Sequence, residues 1–191
     1  MPGGKWRRLR TEPLGDFRIF TIRRDRIVSP RTEEEHDFYV LDGCDWVNVI
    51  PVTPEGNLLL IRQYRHGTGE VTVEIPGGGV DPRDDGPLHA ARRELLEETG
   101  YAADVWKELG FVHPNPAIQS NRCWTFVAEG CRRVAAPKFD PGEDIEVFEA
   151  APDEVRAMLH DGRITHSLVV AAFSRWEPFA GHPRVFPGLN R

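Results

Sequence analysis

The sequence has few cysteines: Cys44, Cys123 and Cys131 are its three, and they are widely spaced. Such a set predicts neither a disulfide framework nor a cysteine metal site. No apolar run approaches the ~18 residues that a membrane-spanning helix needs. The basic residues 1–10 are not followed by the apolar stretch of a signal peptide. We therefore expect a cytoplasmic protein with no membrane partner.

An excess of positive charge is also missing, because 30 acidic residues outnumber 24 basic ones and give a formal net charge of −6. A chain with this balance binds nucleic acid poorly through its overall field, so we expect no nucleic-acid partner. An anionic substrate then needs local arginines or a metal ion. The length of 191 residues suits one domain with a sizeable core and an additional arm.

Strand and turn patterns divide the chain into three parts. Residues 1–45 carry mixed charge, with strand-like stretches at 16–28 and 38–42. We interpret them as an N-terminal β arm and a dimerisation segment. Residues 46–180 are predicted to form the main domain, and residues 181–191 a C-terminal tail.

The main domain begins with strands, continues through one helix to further strands, and closes with two helices. The predicted strands cover 46–53, 57–65, 71–76, 105–112, 122–130 and 145–150, and the predicted helices cover 87–99, 153–162 and 167–176. This order is not a regular alternation of strand and helix. It predicts an α+β fold with a mixed β-sheet.

The helix at 87–99 has the clearest pattern. Pro87 suits a first helical position, and Gly100 is placed to end the helix in the left-handed conformation. Leu88, Ala91 and Leu95 are three and four residues apart, so they form one apolar stripe.

The C-terminal half of this helix collects three carboxylates, Glu94, Glu97 and Glu98. The helix dipole disfavours each of them by about 0.3–1 kcal/mol, and Glu94 and Glu98 repel one another across one turn. Arg93 is four residues before Glu97 and can neutralise it, but no neighbour in sequence neutralises the other two. Oxygen ligands alone select Mg²⁺ or Mn²⁺ over Zn²⁺. The alternative is a solvated helix face, and the glycine run at 77–79 argues against it by letting backbone approach a ligand.

Residues 79–101 resemble the Nudix box, which runs glycine, five residues, glutamate, seven residues and then Arg-Glu-aliphatic-x-Glu-Glu-x-Gly-aliphatic. Gly79 begins the match, and RELLEETGY at 93–101 supplies its end. Asp85 stands where the family has a glutamate that braces the loop and the helix. The resemblance implies an α/β/α sandwich with a mixed sheet.

The resemblance also implies a Mg²⁺ site, with Mn²⁺ as a substitute. Glu94, Glu97 and Glu98 would be its side-chain ligands, and the carbonyl of Gly78 would be a backbone ligand. Arg93 would orient a glutamate, and together with Glu97 it belongs to the implied catalytic set.

Segments outside the box resemble the ADP-ribose pyrophosphatase branch of the family. They are LLLIRQYRHG at 58–67, VEIPGGGVD at 73–81 and GEDIEVFEA at 142–150. Members of this branch cleave nucleoside diphosphates linked to a sugar, so that ADP-ribose gives AMP and ribose 5-phosphate. A homodimer, completed by the N-terminal segments, is implied as well. The alternative is a Nudix-fold module that senses a nucleotide sugar without hydrolysing it, but such modules usually lose box glutamates that this chain retains.

Residues outside the box supply the remaining candidates. Glu143 is the candidate general base, with Glu146 second, and the alternative for Glu143 is an ordinary loop acid. Arg62 and Arg65, together with Glu146, are candidates for substrate binding; a bidentate arginine can clamp phosphate, and the alternative is a surface charge. Because the segment 111–126 departs from the branch pattern, a different nucleotide sugar is an alternative to ADP-ribose.

Overall fold

The structure is a computed structural model that describes residues 4–179. Its elements are β1 (Arg7–Asp16), β2 (Thr21–Val28), β3 (Glu35–Asp42), β4 (Trp46–Val52), β5 (Leu58–Arg65), β6 (Glu70–Glu74), β7 (Gly77–Gly79), α1 (Pro87–Thr99), β8 (Tyr101–Ala102), β9 (Val105–Val112), β10 (Cys123–Glu129), β11 (Arg132–Arg133), β12 (Ile145–Ala150), α2 (Pro152–Asp161) and α3 (Ser167–Arg175). The chain divides into two compact units.

The first unit combines the described residues up to 45, from residue 4 onward, with residues 113–122. Its sheet has the order β1-β2-β3, and both pairs are antiparallel. The strand predicted at 16–28 is divided by a turn, in which the N–H of Phe17 donates to the carbonyl of Phe20 at 2.9 Å. The strand predicted at 38–42 is the second half of β3.

The second unit carries the main sheet, of order β12-β5-β4-β10-β9, with β6 added on β5 and β7 on β4. In this sheet the β10–β4 pair is parallel and all the other strand pairs are antiparallel. The predicted mixed sheet is therefore confirmed. The strands predicted at 46–53 and 57–65 correspond to β4 and β5. The glycine run at 77–79, by contrast, is the strand β7.

Alternating side chains on β5 give this sheet two buried faces. Leu58 and Leu60 pack in the cluster that holds Val155 of α2 and Phe173 of α3. Leu59 packs on the other face with Leu95 and both alanines of α1, Ala90 and Ala91. Since successive strand residues point to opposite faces, one apolar run binds helices on both sides, and the predicted α/β/α sandwich is confirmed. Within residues 4–179, no helix is long and apolar enough to cross a membrane.

Candidate active site

Helix α1 has the bounds that the sequence predicts. It ends at Gly100, whose φ is 75° and whose N–H donates to the carbonyl of Leu96 at 2.8 Å. A Cβ at Gly100 would collide with the backbone of Ala135, so glycine is required there for space as well as for conformation. The N–H of Lys138 donates to the carbonyl of Glu97 at 2.7 Å. These contacts hold the loop after β11 against the glutamate end of the helix.

Arg93 is the centre of the hydrogen bonds around the box. Its guanidinium donates to the carbonyl of Gly79 at 2.9 Å, to Glu94 at 2.8 Å and to Glu97 at 3.0 Å. The same group donates to both carboxylate oxygens of Asp84, at 3.1 and 2.9 Å. Arg93 therefore orients two glutamates at once.

The carboxylate that braces the turn against Arg93 is Asp84, the residue before the motif position Asp85. The Asp84 side chain is 2% exposed, whereas Asp85 is an exposed residue. Residues 81–84 form a turn, since the N–H of Asp84 donates to the carbonyl of Asp81 at 2.9 Å and the N–H of Asp81 donates to the Asp84 carboxylate at 2.8 Å. The hydrogen bonds from Arg93 hold the pKa of Asp84 well below its ordinary value.

The three box glutamates differ in burial. Glu98 is 3% exposed and accepts a hydrogen bond from the N–H of Gly77 at 2.9 Å. Burial raises its pKa well above the ordinary value, and the nearby Glu94 raises it further. Burial also raises the pKa of Glu94 to about 6, although Arg93 opposes this. Glu97 is more exposed and is held by Arg93.

Gly78 makes room for one of these carboxylates. A Cβ built on Gly78 would lie 2.5 Å from Oε1 of Glu94 and 2.6 Å from its carboxylate carbon. Any side chain at this position would therefore displace Glu94. The absence of a side chain brings the backbone of β7 directly against the glutamate face, as the glycine run predicts.

The box glutamates line a small pocket of about 230 Å³, which we call the carboxylate pocket. Its lining residues are Gln63, Arg65, Gly77, Gly78, Gly79, Arg93, Glu94, Glu97, Glu98, Lys138, Asp140 and Glu143. Residues 63, 65 and 77–79 also line a larger cavity of about 740 Å³. The two spaces thus adjoin along one wall.

Three polar residues line the larger cavity, and each of them has one buried side-chain atom without a hydrogen-bond partner in the described part of the chain. Asn48 Nδ2, Gln63 Oε1 and His166 Nδ1 are buried and have no hydrogen-bond partner among residues 4–179. All three residues line this cavity.

The structure brings some of the predicted substrate-binding residues to the pocket and not others. Arg65 lines both spaces and donates two hydrogen bonds of 2.7 Å to the buried Glu74. Arg62 is on the opposite face of β5, pairs with Glu146 at 2.8 Å and lies over the ring of Phe148. Neither Arg62 nor Glu146 lines the pocket or the cavity.

Glu143 lies at the carboxylate pocket, whereas the segment 111–126 does not. Glu143 lines the carboxylate pocket, and its carboxylate accepts a hydrogen bond from the N–H of Asp140 at 2.9 Å. It shares this lining with Glu94 and Glu98, and its charge contributes to their raised pKa values. No residue of 111–126 lines either space, and residues 113–122 belong to the other unit.

Sequence reasoning missed Gln63, Glu74, Lys138 and Asp140. The alternation of β5 could have found Gln63, because it shares a face with Arg65. Lys138 and Asp140 reach the pocket through a loop contact that has no sequence pattern.

The carboxylates of Glu94, Glu97 and Glu98 are of the chemical type that binds a hard divalent cation, but their oxygens do not converge on one point. Among the residues that the structure describes, no group of three His, Cys, Asp or Glu side chains is arranged as a metal site. Arg93 holds Glu94 and Glu97, and the N–H of Gly77 holds Glu98. Three carboxylates beside a side-chain-free backbone provide the oxygen ligands that Mg²⁺ and Mn²⁺ prefer.

Comparison with known proteins defines the class. The family model for the NUDIX domain matches residues 45–173. The chain belongs to the Nudix family, and it is a Nudix hydrolase.

Individual relatives agree with this assignment. The chain is 28% identical to an ADP-ribose pyrophosphatase of Mycobacterium tuberculosis over 166 residues, which cover 84% of this chain and 78% of the relative. It is 28% identical to a methanol dehydrogenase activator of Bacillus methanolicus, covering 86% and 88%. It is 34% identical to a GDP-mannose pyrophosphatase of Yersinia enterocolitica over 119 residues, covering 58% and 61%. A crystal structure of an ADP compounds hydrolase shares the fold with a TM-score of 0.77 at 22% identity, covering 88% of this chain and 90% of that one.

Proposed function

We propose that the protein hydrolyses the diphosphate bond of ADP-ribose or of a related nucleoside diphosphate sugar, giving a nucleoside monophosphate and a sugar phosphate. The observation that carries this proposal is the shared wall between the carboxylate pocket and the larger cavity. A diphosphate at the glutamates would leave its nucleoside or sugar in the larger cavity, which the polar residues Asn48, Gln63 and His166 line. The names of the pyrophosphatase relatives support the same substrate class.

The proposed cofactor is Mg²⁺, with Mn²⁺ as a substitute. Glu94, Glu97, Glu98 and the carbonyl of Gly78 would hold it. When bound, such an ion neutralises diphosphate charge and lowers the pKa of a water molecule that it holds.

The chain's own residues position the reactants. Arg93 keeps two glutamates in fixed orientations, and Asp84 fixes Arg93. Glu143 is the proposed general base: it accepts the proton of the attacking water as a new P–O bond forms, and the bridging P–O bond breaks with the oxygen leaving on the other product. Arg65 lines both spaces and would bind the substrate from the position in which Glu74 holds its guanidinium.

A cytoplasmic homodimer is part of the proposal. In the first unit several large apolar side chains are exposed, among them Trp6, Phe17, Ile19 and Tyr39. Exposed apolar patches of this kind often mark protein interfaces. Light scattering on the purified protein should give twice the mass of one chain, and a monomer at all concentrations would contradict this part.

The substrate class is tested by assaying ADP-ribose, GDP-mannose, other nucleotide sugars and nucleoside triphosphates with Mg²⁺ or Mn²⁺, with products separated by chromatography. We expect a nucleoside monophosphate and a sugar phosphate from at least one nucleotide sugar. Tight binding of nucleotide sugars without products would instead support the alternative of a sensing module.

A further inference from the structure

In the described part of the chain, three basic side chains line the carboxylate pocket, and two of them are already held in ion pairs. Arg65 donates both of its hydrogen bonds to the buried carboxylate of Glu74. Arg93 is held by Asp84 and by two box glutamates. The third, Lys138, has no carboxylate of residues 4–179 within 4.0 Å of its ammonium group.

The backbone of Lys138 is nevertheless fixed beside the glutamates. Its N–H donates to the carbonyl of Glu97 at 2.7 Å, in the last turn of α1. On the same loop, the N–H groups of Val134 and Ala135 donate to the carbonyl of Gly100, at 2.9 and 3.1 Å. The position of the lysine is therefore set by the helix end, while its exposed side chain stays available.

One role for such a lysine is to offset the negative end of the helix. That role predicts an ion pair between Lys138 and a box glutamate. Among the described residues, the ion pairs of the box glutamates are made by Arg93 and not by Lys138. Divalent cations on the glutamates would remove most of the attraction between them and the ammonium group. The partner left for that group is then an anion above the carboxylates, and a diphosphate supplies charged oxygen acceptors there.

We propose that Lys138 binds the diphosphate of the substrate directly and stabilises the negative charge that develops on its phosphoryl oxygens during hydrolysis. This inference rests on the proposed function. Lys138 lies outside the Nudix box and is not among the substrate-binding residues that the sequence predicts. Because Arg65 and Arg93 are engaged elsewhere, Lys138 is the basic side chain of the pocket that can turn to the substrate without breaking an ion pair.

Kinetics of two variants and one control test this role. Lys138→Met removes the charge and keeps the length, so we expect kcat/KM for ADP-ribose to fall about 10- to 100-fold. Lys138→Arg keeps the positive charge, so its kcat/KM should be close to that of the wild type. The control is Lys107→Met, which changes an exposed lysine of β9 that lines neither space, and it should have no effect. A Lys138→Met enzyme with wild-type kinetics would overturn the proposal, as would failure of the arginine to restore activity in a folded variant.

Contact can be measured without turnover by acetylating surface lysines and quantifying the products by mass spectrometry. With Mg²⁺ present, both α,β-methylene ADP-ribose and inorganic pyrophosphate should slow the acetylation of Lys138 and leave Lys107 unchanged. Equal rates at Lys138 with and without these compounds would refute the contact. If the wild-type protein hydrolyses no nucleotide sugar but pyrophosphate still protects Lys138, the substrate class fails while the diphosphate contact stands.

Discussion

Asp84 and Arg93 form a two-point ion pair that holds the glutamate face in place: the Asp84 oxygens lie 3.1 and 2.9 Å from Nε and Nη2 of Arg93. The pair joins the turn before α1 to the residue that orients Glu94 and Glu97. It is the structural basis for the first prediction.

Replacing Asp84 by Asn should lower both stability and activity, because the guanidinium loses its buried anionic partner. We expect a loss of about 1.5–3 kcal/mol in the free energy of unfolding, measured by urea denaturation, and a fall in kcat. The matched control is Asp85→Asn, an exposed change that should alter stability by less than about 0.5 kcal/mol. A larger effect at Asp85 than at Asp84 would assign the bracing role to Asp85.

Replacing Gly78 by Ala should move Glu94, since the added carbon would lie 2.5 Å from its Oε1. A displacement of this kind at a reacting centre can reduce kcat/KM about 100-fold. Gly43→Ala is the control, because Gly43 lines neither space and a Cβ there would make only ordinary contacts, at 3.6 Å or more. Near-normal kinetics of Gly78→Ala would show that Glu94 is not held where the structure has it.

Replacing Glu143 by Gln should lower kcat, by about 100-fold or more if this carboxylate is the general base, with a smaller change in KM. Glu146→Gln should change kcat little, because Glu146 pairs with Arg62 and lines neither space. Steady-state kinetics of the two variants decide between them. The reverse order of effects would assign the base to Glu146.

Replacing Glu74 by Gln should change the pH dependence of stability. Burial raises the pKa of Glu74, but hydrogen bonds from Arg65 and Thr72 oppose it, and the net pKa is below the ordinary value. A carboxyl with a lowered folded-state pKa stabilises the protein above its unfolded pKa of about 4.3, and this stability is lost as the pH falls through the folded value.

The stability difference between wild type and Glu74→Gln should therefore be largest near neutral pH and should shrink in acid. Urea denaturation measures this difference at neutral pH and at about pH 3.5, and the second value is below the unfolded pKa of about 4.3. A difference that is the same at both pH values would mean that Glu74 gains nothing from its partners.

Local patterns predicted the elements that local chemistry determines. Helix α1 begins at Pro87 and ends before Gly100 as expected, because both residues act on their own backbone. The buried strands β4 and β5 were clear from their apolar residues. Strand β1 was not predicted, because its sequence RRLRTEPLGD is charged and contains Pro13. Its antiparallel pairing with β2, which the sequence pattern of β1 does not reveal, makes this segment a strand.

The candidate site was predictable where it follows the motif and not where distant contacts decide it. Motif spacing pointed to Asp85, but the turn at 81–84 directs the neighbouring Asp84 to Arg93. Residues 113–122 join the first unit because Leu41 exchanges backbone hydrogen bonds with Ile118 and Ser120, at 2.7 and 3.2 Å. No local signal in the sequence carries that pairing.

The central claim is that the box carboxylates hold a divalent cation beside a diphosphate, and Mn²⁺ binding measured by electron paramagnetic resonance tests it most directly. With α,β-methylene ADP-ribose present, the wild-type protein should bind Mn²⁺ tightly, and Glu98→Gln should bind it far more weakly while staying folded. Glu129→Gln, an exposed change at the end of β10, is the control and should bind as the wild type does. Equal Mn²⁺ binding by the wild-type and Glu98→Gln proteins would contradict the account.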